Sequence, residues 1–167
     1  MVLKTGAAQR RRLGDHALCQ LRPNYDAALT EYNRILDQKS RILKDHYENP
    51  AVLEVLPEFN TRLCQVGALL ISYRARFYEA METAAAKFHS QFSGGVENFT
   101  LDYKTVSSVK DPFAPIALLT EDLMDHLDRH SKAELDTAQC LTGPHKDDFT
   151  VSLSGIDLKA YGSQGQT

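Results

Sequence analysis

Apolar residues recur at helical spacing through the first half of this chain. The clearest seam alternates steps of three and four residues without a break, through Leu56, Phe59, Leu63, Val66, Leu70, Tyr73, Phe77, Ala80 and Ala84. Phe88 and Phe92 extend the seam to a Ser-Gly-Gly stop, and Pro57 either opens the helix or follows a short turn over residues 52–56. The spacing is that of a coiled-coil seam. It predicts one helix over residues 57–92, about 54 Å long at ~1.5 Å per residue.

A second amphipathic stripe precedes that seam and predicts a helix over residues 24–48. Its apolar positions are Tyr25, Leu29, Tyr32, Leu36 and Leu43. Pro23 suits the first turn, and an Asn-Pro pair ends the pattern. Because the connection is short, the two helices predict an antiparallel arm, in which Gly67 allows a close helix approach or a bend. Residues 1–22 predict a further short helix.

Alternation of period two is confined to the second half of the chain. It predicts a strand over residues 98–106 and a hairpin over residues 148–161 that turns at Ser154-Gly155. Between them, a helical stripe from Ile116 continues through Glu134. The predicted fold class is α+β, mainly α: a long, coiled-coil-like antiparallel helical arm on a small, incomplete β-containing base. Both chain ends should lie on that base, so that Arg12 and Tyr161 are not at opposite extremes.

Bulk composition favours a soluble cytoplasmic protein with no membrane partner. Of the 167 residues 43% are apolar, and no apolar run approaches the ~20 residues that span a bilayer. The first residues lack the apolar core of a secretory signal. Three cysteines, Cys19, Cys64 and Cys140, are odd in number and show no metal-binding spacing, which favours reduced thiols.

The net charge is −3, but the charges are unevenly distributed and the N-terminal quarter is basic. Residues 1–44 carry nine Lys and Arg against four Asp and Glu, whereas residues 45–167 carry ten against eighteen. Arg10, Arg11 and Arg12 are therefore candidates for binding nucleic acid phosphates. The alternative is that these arginines lie against an acidic neighbour outside this segment.

Patterns for enzyme chemistry are weak. No G-x-x-x-x-G-K-[ST] loop occurs in the sequence, and residues 116–122 resemble a Walker B strand only superficially, because the helical stripe continues through them. His126 and His130 lie one helical turn apart, but no third metal ligand is close in sequence. No nucleophile, base and orienting group occur together, so we expect no catalytic residues, no bound metal and no enzyme activity in this segment.

Three short motifs stand out in the sequence. The first is Gly143, Pro144, His145, Lys146, Asp147 and Asp148. The second is Ser163, Gln164, Gly165 and Gln166, and the third is Arg10 to Asp15. Together they resemble motifs of the RecF family, bacterial recombination-repair ATPases related to SMC and Rad50 proteins, and the second resembles the signature motif of ABC-type ATPases. In the third, Leu13 and Gly14 stand where the family has an aromatic residue and a leucine.

The resemblance implies that this segment is the lever region of a longer ATPase, with a Walker A segment before Met1 and a Walker B segment after Thr167. Residues 1–22 would join the ATPase head, residues 23–95 would form the arm, and residues 96–147 the lever base. Residues 148–167 would be a hairpin leading into the signature motif. Residues 163–166 would contact ATP bound by the opposite subunit, since a serine and backbone amides at a helix N-terminus stabilise phosphate.

For the intact protein the resemblance implies a homodimer formed on ATP and Mg, binding to gapped or junction DNA, and help in loading RecA with RecO and RecR. The segment itself would hold no cofactor. In the motif around His145 it implies no hydrolytic chemistry, and we expect its carboxylates to accept backbone or arginine hydrogen bonds. The alternative function is a stand-alone helical protein-interaction module, distinguished by whether the gene encodes a P-loop upstream.

Overall fold

The computed structural model describes residues 6–93 and 98–158, which form four helices and a small sheet. The helices are α1 (Ala7–Leu21), α2 (Pro23–Asp45), α3 (Leu56–Ser93) and α4 (Ile116–Thr137), with 3-10 turns at Pro50–Val55 and Pro144–Lys146. The antiparallel sheet has the order β1 (Phe99–Lys104), β2 (Asp148–Leu153) and β3 (Ile156–Asp157). The predicted fold class, mainly helical α+β, is confirmed.

Local sequence explains where the helices begin and end. Pro23 occupies the first turn of α2, where its missing N–H costs nothing. Asn49 caps the 3-10 turn by accepting a hydrogen bond from the Ala51 N–H at 3.3 Å. At the end of α4, Ala138 adopts the left-handed conformation at φ 52°. The segment predicted as helix rather than Walker B strand is the first part of α4, which confirms the helix.

Helix α3 is the centre of the molecule, because all three hydrophobic clusters include its side chains. One cluster joins α3 to α1 and α2 around Leu18, Tyr32 and Leu70. A second joins it to α4 around Ile71 and Leu123. The third joins it to the sheet around Tyr78, Leu101, Phe149 and Val151. Thus α2 packs on α3 as the antiparallel arm requires, but α4 also packs along α3, a contact that periodicity alone did not predict.

Glycines allow the closest approaches to α3. A Cβ on Gly67 would lie 3.2–3.3 Å from atoms of Pro144, Leu123 and Tyr32, so three elements meet at this glycine, as predicted for a close approach. A Cβ on Gly14 would collide with the Tyr78 hydroxyl. Glycine at this position therefore gives room for the Tyr78 hydroxyl.

The first described helix, α1, lies against the sheet. Arg10 of α1 is hydrogen bonded to Asp148, the first residue of β2. The prediction that Arg12 and Tyr161 both lie on the base also involves Tyr161, which is outside the described residues. Strand β3 ends at Asp157. Among the described helices, none is both long and apolar enough to cross a bilayer.

Candidate functional site

The buried guanidinium of Arg74, on α3, joins two of the three sequence motifs. Its Nη2 donates to both carboxylate oxygens of Asp15 at 2.9 and 3.1 Å. Its Nη1 donates to the Pro144 carbonyl at 2.7 Å and to Asp147 Oδ2 at 2.9 Å. Arg74 and Asp147 have only 4% and 2% of their side-chain surface exposed. One side chain therefore ties α1 to the turn that precedes β2.

Two tyrosines add hydrogen bonds to this network. The Tyr25 hydroxyl donates to Asp15 at 2.5 Å and accepts from Arg74 Nε at 3.0 Å. The Tyr103 hydroxyl donates to Asp147. Burial, and then the neighbouring carboxylates, raise the pKa of both phenols. Both tyrosines therefore remain neutral donors at physiological pH.

Charge balance keeps the guanidinium ionised despite its burial. Burial lowers the pKa of Arg74, but the negative charges of Asp15 and Asp147 outweigh this effect, and the pKa lies well above its ordinary value. Burial raises the pKa of Asp147, whereas Arg74 and Tyr103 oppose that rise. Taking away the cation would leave at least one fully buried carboxylate without its partner.

His145 fixes the turn next to this network. Its Nε2 lies 3.0 Å from the Cys140 carbonyl, and its Nδ1 lies 2.8 Å from the Tyr32 hydroxyl. A carbonyl can only accept, so Nε2 carries the hydrogen and Nδ1 accepts from Tyr32. Burial lowers the pKa of His145 to about 4, which agrees with a neutral ring. Gly143, at φ 133°, has no room for a Cβ beside the Tyr32 hydroxyl.

A second buried ion pair, between Lys39 and Glu134, holds the residues that lead to Gly143. Lys39 Nζ of α2 lies 2.5 Å from Glu134 Oε2 of α4, and both side chains are almost fully buried. The other carboxylate oxygen of Glu134 accepts from the Leu141 N–H at 2.7 Å. The pair thus holds α2, α4 and the residues leading to Gly143 in one arrangement.

The three N-terminal arginines have different environments. Arg10 forms a bidentate pair with Asp148 at 2.8 and 2.6 Å, and this hydrogen bond raises its pKa. Arg11 donates to the Asp147 carbonyl at 2.7 Å, whereas Arg12 is exposed. Arg10 is therefore already committed to a carboxylate of this chain and is not presented to solvent. Binding of nucleic acid by Arg11 and Arg12 stays a prediction.

The remaining predicted positions divide between exposed residues and residues outside the described ranges. Lys146 is exposed on the turn. Ser163, Gln164, Gly165 and Gln166 lie outside the described residues.

No group of three or more His, Cys, Asp or Glu among the described residues is arranged to hold a metal ion. The rings of His126 and His130 stack at 4.0 Å, and His126 Nδ1 is 2.8 Å from the Thr142 hydroxyl.

Sequence reasoning missed Arg74 and the Lys39–Glu134 pair, although each carried a signal. Arg74 lies four residues after Leu70, on the face of α3 that the apolar seam buries. Lys39 fills the gap between Leu36 and Leu43 in the stripe of α2. A charge at a position where periodicity requires an apolar residue predicts a buried ion pair, because an unpaired buried charge is too costly.

Comparison with known proteins shows a consistent set of relatives. The chain is 34% identical over 165 residues to the DNA replication and repair protein RecF of Agathobacter rectalis, and 30% identical over 166 residues to that of Acetivibrio thermocellus. These alignments cover 99% of this chain but 42% and 45% of the relatives. No protein-family profile matches the chain.

Solved structures give the same match at the level of the fold. Two structures of the recombination mediator protein RecF in the RecFOR pathway, described as RecF-ATP and RecF-ATPrS, each superpose with a TM-score of 0.89. Identity is 28% and 27%, over 99% of this chain and 43% and 44% of theirs. Motifs, sequence relatives and fold therefore agree that this chain is similar to a segment of RecF proteins, and it spans less than half the length of these relatives.

Proposed function

We propose that this chain is the lever region of a RecF-like recombination-repair protein, and that the Arg74 network is what makes it act as a lever. The observation that carries the proposal is the set of bonds from one buried guanidinium to Asp15, Pro144 and Asp147. Residues 1–22 and residues 148–167 would be the two connections to the ATPase head. The network clamps the former against the start of the latter.

The network would transmit force between these two connections because it is buried and directional. A bidentate arginine–carboxylate bond fixes both distance and orientation. The hairpin β2–β3 leads towards residues 163–166, the proposed signature motif. If residues 163–166 move on ATP binding, the rigid network would therefore transmit their displacement to α1 and α3.

For the intact protein we infer an ABC-type ATPase that binds ATP and Mg and dimerises when the signature serine of one subunit meets the nucleotide of the other. It would act in the cytoplasm on gapped or junction DNA and help load RecA with RecO and RecR. The names of the structural relatives, recombination mediators in the RecFOR pathway, support this assignment.

The deciding experiment is sedimentation of the intact protein with a non-hydrolysable ATP analogue. Ser163→Arg places a bulky cation where the γ-phosphate should dock, so it should block dimerisation while single-subunit ATP binding persists. Ser107→Arg, at an exposed position between β1 and α4, is the matched control and should dimerise normally. Normal dimerisation of the Ser163→Arg protein would show that the signature assignment is wrong.

A further inference from the structure

An open apolar groove runs between the end of α1 and the second half of α3. Its volume is about 480 Å³, within the range of specific binding clefts. The apolar residues that line it include Leu18, Leu21, Phe77, Ala80, Met81 and Ala84. The two alanines leave the α3 backbone accessible, so another helix could approach closely.

The groove is part of an apolar face that no other described element covers. Along α3, Phe77, Met81, Ala84 and Phe88 follow one another in steps of four, three and four residues. Leu21, Met81 and Phe88 are 61%, 42% and 65% exposed. Leu21 of α1 and Met81 of α3 both line the groove, and exposed apolar patches of this kind are a feature of interaction sites.

Charge on the groove is entirely positive. Arg22 and Arg76 are its only charged lining residues. Within residues 6–93 and 98–158, neither guanidinium forms a hydrogen bond or an ion pair. The carboxylates of this part of α3, Glu79 and Glu82, line the separate cleft beside β1. Two unengaged cations flanking an apolar floor favour a partner with carboxylates beside its own apolar residues.

We propose that this groove binds an acidic amphipathic helix of a partner protein. Its apolar residues, at i, i+3 or i+4 and i+7, would fill the floor, and flanking Glu or Asp residues would pair with Arg22 and Arg76. A second copy of this chain is the less suitable occupant. A two-fold contact through this face would place the same arginines of both copies near each other.

The test uses the full chain and two synthetic helical peptides with identical apolar residues, one tryptophan anchor, and either Glu or Lys flanks. The chain has no tryptophan, so the tryptophan emission comes from the peptide alone. The Glu peptide should bind with a blue shift, roughly tenfold more tightly than the Lys peptide at low salt, and this preference should shrink as salt screens the charges. The double variant R22E/R76E should reverse the preference.

The matched control is R41E, which reverses an exposed arginine of α2 outside the groove and should leave both affinities unchanged. Circular dichroism confirms that each variant is folded. Equal binding of the two peptides, binding that R22E/R76E does not change, or no binding would overturn the proposal. So would a dimer in sedimentation that Met81→Glu dissociates, because the face would then be occupied by a second copy.

Discussion

Replacing Arg74 by methionine should destabilise the chain far more than the loss of an ordinary ion pair. Methionine fills much of the same volume, so the main effect is electrostatic. Asp147, with 2% of its side chain exposed, would keep the Tyr103 hydroxyl but lose its cation, and the Pro144 carbonyl would lose a donor. Breaking a buried pair by removing one partner costs about 3–5 kcal/mol.

The matched control is Arg62→Met. Arg62 Nε lies 2.7 Å from the carboxylate of Glu31, but the two side chains are 53% and 31% exposed. Solvent screening limits such pairs to about 0–1 kcal/mol. The two variants therefore remove the same chemical group, once from a buried network with two carboxylates and once from a single exposed pair, and this difference should separate their effects.

Urea unfolding followed by circular dichroism at neutral pH measures both free energies of unfolding. Because small domains have only about 5–15 kcal/mol in total, Arg74→Met should lower the midpoint steeply, and Arg74→Lys provides a milder variant if it fails to fold. Adding Asp147→Asn to Arg74→Met should restore part of the loss, since the uncompensated charge disappears. If Arg74→Met cost no more than Arg62→Met, the network could not be the clamp described above.

The other predictions concern protonation, DNA and nucleotide. Because burial lowers the pKa of His145 to about 4, its contribution to stability is complete above pH ~6.5 and is lost as pH falls towards 4. The free-energy difference between the wild type and His145→Gln should therefore change by up to about 3 kcal/mol across that window in urea titrations, and a constant difference would contradict the assignment. Any DNA binding by the chain should be weak, should fall steeply with salt and should disappear in R11A/R12A, measured by fluorescence anisotropy. Tight binding that survives in this variant at physiological salt would place the contact elsewhere. Calorimetry should detect no ATP binding by the chain alone, since its sequence has no P-loop lysine.

The long elements could be predicted from sequence because their signals are local. The apolar spacing predicted a helix over residues 57–92, and α3 spans Leu56–Ser93, so both ends agree to within one residue. The helix predicted over residues 24–48 corresponds to α2. The strand predicted over 98–106 is Phe99–Lys104. Spacing along the chain defines the face that each helix buries, and local stop signals define its ends.

The site was less predictable because its bonds connect distant residues. Arg74 and Asp147 are 73 residues apart, and Lys39 and Glu134 are 95 apart. A charged residue at a buried position predicts that an oppositely charged partner exists. Which carboxylate becomes that partner depends on how the helices pack, and the sequence does not show this. The motif residues were recognisable only through their resemblance to RecF, and that resemblance did not name the arginine at their centre.

The glycine at position 67 restricts how this region can move. Tyr32, Leu123 and Pro144 surround it at 3.2–3.3 Å from where a side chain would begin. If α3 slid by one turn, about 5.4 Å, the larger side chain of Leu63 or Ile71 would have to enter this crowded space. Sliding of α3 past α2 and α4 would therefore disrupt their packing, and we expect these three helices to move together.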